Sequence, residues 1–187
     1  NVRFEDLSNE ALVMAKKCIL DSLGVCVAGS AQPIGEVIRK YLKLNDGVPK
    51  ATVLGLGVKT SILNAVFANG VLMHALDYDD TQFPMIGHPS ASLVPAVLNI
   101  SELYGLTGKD LITAFAVGFE VEGKISVAIN PSHWFKGFHA TATIGTFGAT
   151  AAASRLLRLN IEQTAMALGI AGSQAQGTKQ NLGTMTK

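Results

Sequence analysis

The chain has 187 residues, a formal net charge of +1 and only 16% charged residues, with no basic run and no acidic tail, so neither nucleic acid nor an anionic membrane surface is indicated as a partner. Apolar residues make up 48% and mean hydropathy is +0.32, high for a soluble domain. Yet the longest uncharged stretches fit no spanning helix of about 20 apolar residues: 81–101 holds three prolines and a histidine, and 137–154 is full of Gly, Thr and Ala.

Buried helices are the better reading, in a chain long enough for one domain with a real core. Leu12, Ala15, Ile19, Leu23 and Cys26 recur at three- and four-residue steps and predict an amphipathic helix over 8–28, closed by Gly29. Cys18 and Cys26 would then stand about 12 Å apart along its axis. That is too far for a disulfide, so two buried free thiols are expected, as in a reducing compartment. No signal peptide is visible. Ile34, Val37, Ile38, Tyr41 and Leu42 mark a second, shorter helix, and 51–54 reads as a short strand without an obvious partner.

Thr60 is expected to cap a third helix running through Asn64, Phe67 and Val71. A fourth covers 90–103, with Pro95 predicting a kink and Gly105 a stop. Thr107 and Asp110 form a capping pair for a long fifth helix reaching about Ile129, and 130–137 is a loop carrying the single tryptophan. A sixth helix over 141–159 has the small side chains that let neighbouring backbones approach. Asn160 and Gln163 cap a seventh that reaches about Ser173. The fold class is all-α, a multi-helix bundle, with residues 1–187 forming one helical domain. A chain that starts at Asn1 and stops at Lys187 in a Gly/Thr loop reads as a piece of a longer one.

Chemistry concentrates in the segment 74–90, H-A-L-D-Y-D-D-T-Q-F-P-M-I-G-H-P-S, which holds half of the four histidines. If the third helix runs on to Thr81, then His74, Asp77 and Thr81 share a face and Asp79 points elsewhere. The Gly87-His88-Pro89 turn brings a second imidazole back to that region. Such a set can hold and shuttle protons on a small polar substrate. Acids at a helix C-terminus run against the macrodipole, so helix stability does not explain them. Asp80, at i+3 from Asp77, supports the loop. His139 precedes a helix start, where an imidazole is biased towards neutral and suits accepting a proton or bonding a carboxylate. The plainer alternatives are an acidic turn tying up loop amides, a loop histidine at His88, packed core histidines at His74 and His139, and a solvated chain end at Lys187. His74, Asp77, Asp80 and His88 offer mixed metal ligands but match no zinc signature. No phosphate loop and no G-x-S-x-G elbow is present.

Several elements occur in one order along nearly the whole chain: D-S-L-G-V-C-V-A-G at 21–29, A-N-G-V-L-M-H-A-L-D-Y-D-D-T at 68–81, G-H-P-S-A-S at 87–92, G-F-E-V-E at 118–122, K-G-F-H-A-T-A-T-I-G at 136–145, then A-G-S-Q-A-Q-G and T-M-T-K. In this the sequence resembles the MmgE/PrpD family. The resemblance implies a lyase acting on a small di- or tricarboxylate by proton transfer next to a carboxylate, in the manner of 2-methylcitrate dehydratase, with cis-aconitate decarboxylase and iminodisuccinate epimerase as alternatives. It implies no metal or redox cofactor, a homodimer, a cytoplasmic location (mitochondrial in a eukaryote) and a further C-terminal half. Carried onto this sequence, it makes His88, Asp77 and His139 catalytic, and Thr81, Lys187 and Asp80 substrate-binding. His88 and Asp77 would handle protons, while His139, Thr81 and Lys187 would hold carboxylates. Two rivals stand beside it, a metal-dependent hydrolase of the His/Asp helical type and a non-catalytic helical assembly module.

Overall fold

A computed structural model describes residues 2–45 and 47–184. Helix α1 (Asn9–Ser30) starts where Ser8 Oγ accepts a hydrogen bond from the Ala11 amide, so one of the helix's open amides is satisfied by its cap. The expected stop at Gly29 does not occur. Gly29 is helical and buried against α3, where a Cβ would overlap the Leu72 carbonyl, so the glycine serves a close helix crossing and not termination. Gly29→Ala should therefore destabilise the fold by about 1–3 kcal/mol, the usual range for overpacking. Chemical denaturation checks this, and an unshifted midpoint would show that the crossing relaxes freely.

Helix α2 (Pro33–Leu44) opens on a proline, whose missing amide is not needed there. The strand at 51–54 does have a partner. β1 (Ala51–Val53) pairs antiparallel with β2 (Val58–Thr60), Ala51 opposite Thr60, across a turn in which Gly55 and Gly57 take φ of +71° and +66°. Thr60 is thus a strand residue, and Ser61 is the cap of α3 (Ile62–His74), its Oγ accepting from the Asn64 amide. A buried amide pair ties this hairpin down. Asn69 Oδ1 accepts from the Leu54 amide (2.8 Å), while Asn69 and Asn99 both donate to the Thr52 carbonyl (2.9 and 3.0 Å).

Helix α4 (Pro89–Tyr104) contains Pro95 and ends on Gly105 in the left-handed conformation, φ +61°. Thr107 and Asp110 form the expected reciprocal cap of α5 (Gly108–Ile129). The loop at 130–137 holds one short helix, α6 (Ser132–Phe135). Helix α7 (Ala140–Leu156) is shorter than expected, because Arg158 just beyond it takes φ +53°. Asn160 and Gln163 cap α8 (Ile161–Gln174) as expected.

The described residues make a mostly helical fold with one small hairpin. Its main core gathers Cys18 and Cys26 of α1, Leu72 and Met73 of α3, Leu93, Val94 and Val97 of α4, and Phe115 of α5. Both thiols are free and buried, as expected from their spacing. Helix α7 packs on α4, α5 and α8. It crosses α5 so closely that a Cβ on Gly118 would lie 2.8 Å from the Gly148 carbonyl. Its hydroxyls turn back on their own helix, with Thr143, Thr146, Thr150 and Ser154 each donating to the carbonyl four residues earlier. No helix among the described residues is long and apolar enough to cross a membrane.

Candidate functional site

Helix α3 ends at His74 and does not run on to Thr81. Asp77 adopts φ +53°, a left-handed conformation that aspartate tolerates better than most residues, and this turns the chain out of the helix. The shared helical face of His74, Asp77 and Thr81 is therefore replaced by a loop, and the expectation for Asp79 is reversed. Its side chain points inward, fully buried, between two imidazoles.

The rest of the loop is pinned to the bundle. The Gln82 amide donates to the Gly87 carbonyl, and Asn130 Nδ2 donates to the carbonyls of Pro84 (2.9 Å) and Met85 (2.8 Å). The Met85 side chain is buried against Ala140 and Ile144 of α7. Ile86 is held at φ +52°, a strained state for a β-branched residue. Gly87 lies against Thr141, and the His88 amide donates to Thr141 Oγ1 at 3.0 Å. These contacts fix the turn that aims His88.

His74 Nδ1 lies 2.9 Å from Asp79 Oδ2, and His88 Nδ1 lies 3.2 Å from the Asp79 carbonyl and 3.3 Å from its Oδ1. Carbonyls and carboxylates only accept, so both Nδ1 atoms carry protons. That leaves His88 Nε2 as the working atom, 3.7 Å from Asp77 Oδ1. His74 is also 3.9 Å from Asp77 Oδ1, and its ring centroid is 4.8 Å from that of His88 and 5.9 Å from that of His139. Three imidazoles and two carboxylates thus converge. The His139 amide donates to the Gly177 carbonyl, which holds the start of α7 against the following chain.

The proton affinities are set by this packing. Burial pushes the Asp79 carboxyl up, but hydrogen bonds from His74 and His88 and their charges outweigh it and hold it at about 2. The Asp79 hydrogen bond raises His88 above the ordinary imidazole value, against the opposing effect of burial. His139 is lowered, first by burial and then by the neighbouring charges of His74 and His88. Two imidazoles of one site are pushed apart, His88 towards the protonated form and His139 towards the neutral one. Such a pair can divide acid and base roles.

Asp77, Thr81, His88 and His139 line one cavity of about 620 Å³, together with Trp134 and Ile86. A second cavity of about 410 Å³ is lined by His74, His139, Ser92 and Thr141 among others. Asp80 lines neither. Its carboxylate accepts from the Ser90 amide (3.1 Å) and Ser90 Oγ (2.7 Å), where it holds the first turn of α4. Lys187 lies outside the described residues. His133, beside Trp134, meets Thr143 Oγ1 at 2.7 Å from its Nε2. Asp79 is the residue that the sequence reading missed. Its signal was present in the D-x-D-D run, but the assumption of an unbroken helix turned it outward. The donor atoms of His74, Asp77, Asp79 and His88 all lie within 4.8 Å of one another, so this group could also hold a small divalent ion.

The chain is 33% identical over 192 residues to cis-aconitate decarboxylase of Mus musculus and 33% identical over 187 residues to that of Homo sapiens, covering 100% and 97% of this chain. It is 30% identical over 183 residues to cis-aconitate decarboxylase of Aspergillus terreus, covering 95% of the chain. The matched regions are 39%, 39% and 37% of those proteins, so the chain spans about two-fifths of the length of these relatives. The model of the MmgE/PrpD N-terminal domain matches residues 1–187, and the chain belongs to the MmgE/PrpD family.

Proposed function

We propose that this chain is the N-terminal part of a lyase that acts on a small di- or tricarboxylate, with cis-aconitate as the first substrate to test. The observation that carries the reading is the pair of imidazoles, His88 raised and His139 lowered, on one cavity with Asp77 and Thr81. In a decarboxylation, the C–C bond to the leaving carboxylate breaks and its electron pair stays on the substrate. Protonated His88 then delivers a proton from Nε2 to carbon. In a dehydration, neutral His139 takes the proton next to a carboxylate while His88 protonates the departing hydroxyl. His88 serves as the acid in both reactions. The relatives named above favour decarboxylation over the 2-methylcitrate dehydration implied by the sequence resemblance.

Thr81 and Lys187 are assigned to the substrate's carboxylates, joined by His139 in the decarboxylation, with Asp77 partnering His88. The proposal includes the two-fold dimer, which sedimentation of the full-length protein at micromolar concentration decides. Screening that protein with cis-aconitate, 2-methylcitrate, citrate and iminodisuccinate tests the reading, and turnover of none of them would end it. Asp77→Asn and His139→Ala should each lower kcat by about a hundredfold. A metal-dependent hydrolase would instead carry stoichiometric metal in the purified protein and lose activity to a chelator.

A further inference from the structure

Glu122 stands near the middle of α5 with its side chain fully buried, and the chemistry above makes no use of it. Its Oε1 lies 2.8 Å from Ser92 Oγ, and its Oε2 has no hydrogen-bond partner. Ser92 Oγ also lies 2.9 Å from the Pro89 carbonyl. A carbonyl can only accept, so the single proton of Ser92 goes to Pro89. The contact with Glu122 then needs another proton, and the carboxyl is the group that can supply it.

The surroundings agree. Helix α4 faces this carboxyl with Ser92, and α7 faces it with Gly145 and Gly148, none of them ionisable. From the loop before α4, Asp80 acts on it with the same sign of charge. On its own helix, Glu120 and Lys124 are exposed and paired with each other at 3.3 Å. A buried carboxylate without a counter-charge is costly, and giving up the charge is the cheaper state.

We propose that Glu122 is a positioning residue, held as the uncharged acid, whose proton locks Ser92 and thereby seats α7 against α4 beneath the imidazoles. Thr141, Gly145 and Gly148 fall at i, i+4 and i+7 and share one face of α7. Thr141 accepts from the His88 amide at 3.0 Å, and a Cβ on Gly145 would come within 2.8 Å of Ser92 Oγ. A Cβ on Gly148 would overlap the Glu122 carboxyl. The acid of α5 therefore packs two turns along the face of α7 that holds His88, and α7 carries His139 at its N-cap. Ser92, the locked hydroxyl, lines the cavity shared with His74 and His139. The effect on turnover rests on the lyase reading, whereas the protonation and the lock do not.

The acid's proton affinity is raised in the fold, so its stabilisation is complete below the ordinary glutamate range and is lost as pH rises through the raised value. The test compares full-length wild type, Glu122→Gln and Glu122→Ala. Infrared spectra at neutral pH should show a carboxylic acid C=O band that shifts on ¹³C-glutamate labelling and is missing in Glu122→Gln. Melting temperature should fall towards alkaline pH more steeply in wild type than in Glu122→Gln. The glutamine variant, an isostere of the protonated acid, should keep kcat within about twofold, while the alanine variant should lose about ten- to a hundredfold in kcat through misplacement of the imidazoles. No assignable acid band, or a glutamine variant as impaired as the alanine one, would overturn the proposal. Should the full-length protein turn over none of the carboxylates, the infrared band and the pH dependence of melting decide it alone.

Discussion

His88→Asn in the full-length protein is expected to lower kcat on its carboxylate substrate by about a thousandfold, the middle of the range for losing a positioned acid. Asparagine keeps an N–H near the place of the imidazole Nδ1, which lies 3.2 Å from the Asp79 carbonyl, so the turn itself should survive. What disappears is Nε2, the atom 3.7 Å from Asp77. The variant should thus fold with nearly the wild-type melting temperature and bind substrate, yet scarcely turn it over. Steady-state kinetics and a melting curve on one preparation check both halves. Wild-type kcat in a folded variant would move the proton transfer to another group.

Asp79→Asn should be nearly as damaging, by a different route. The Asp79 hydrogen bond is the main cause that raises His88, and the amide cannot replace its charge. If protonated His88 is the working acid, activity is present below its pKa and lost as pH rises through it. The alkaline limb of kcat/KM should therefore move to lower pH in the variant, with about a hundredfold loss at neutral pH. Stability should respond as well. Breaking a buried ionic group by removing one member costs about 3–5 kcal/mol, with the isosteric amide at the lower end. Because the Asp79 carboxyl is depressed from 3.8 to about 2, its stabilisation is present above 3.8 and lost as pH falls towards 2. On the other side, the raised His88 contributes below the ordinary 6.5 and loses its contribution as pH rises through its folded value. The variant should show neither dependence. A pH profile unchanged from wild type would show that Asp79 does not tune His88.

The helices were legible because their signals are local. The Thr107–Asp110 and Asn160–Gln163 boxes need only residues three apart, and both formed as read. The misreadings came from residues whose role is set by distant partners. Gly29 looks like a helix stop until Leu72, 43 positions away in sequence, is seen pressed against it. Thr60 looks like a cap until its partner Ala51 makes it a strand residue. At the site, the residue types in 74–90 were sufficient to find the region, since imidazoles and carboxylates seldom cluster in so uncharged a chain. The orientations were not legible, because the left-handed turn at Asp77 follows from what Asp79 gains by meeting two imidazoles. The partner of Asp80 was not legible for the same reason, as it is Ser90 at the start of the next helix.

The back-bonded hydroxyls of α7 change what its composition means. A threonine or serine that spends its hydrogen on its own helix offers mainly methyl and methylene groups to its neighbours. By its letters α7 mixes threonine and serine with apolar residues; by its exterior it is close to an apolar rod of mostly small side chains. Such a rod can be wrapped by three other helices with few polar partners to find, and its grip comes from shape and close approach. Fit of that kind has no fixed rungs along the axis. The register of α7, and with it the height of His139 in the site, is then left to the few polar contacts among the described residues that do cross to other elements: Thr141 with His88, Thr143 with His133, Arg155 with the Val2 carbonyl, and the His139 amide with Gly177.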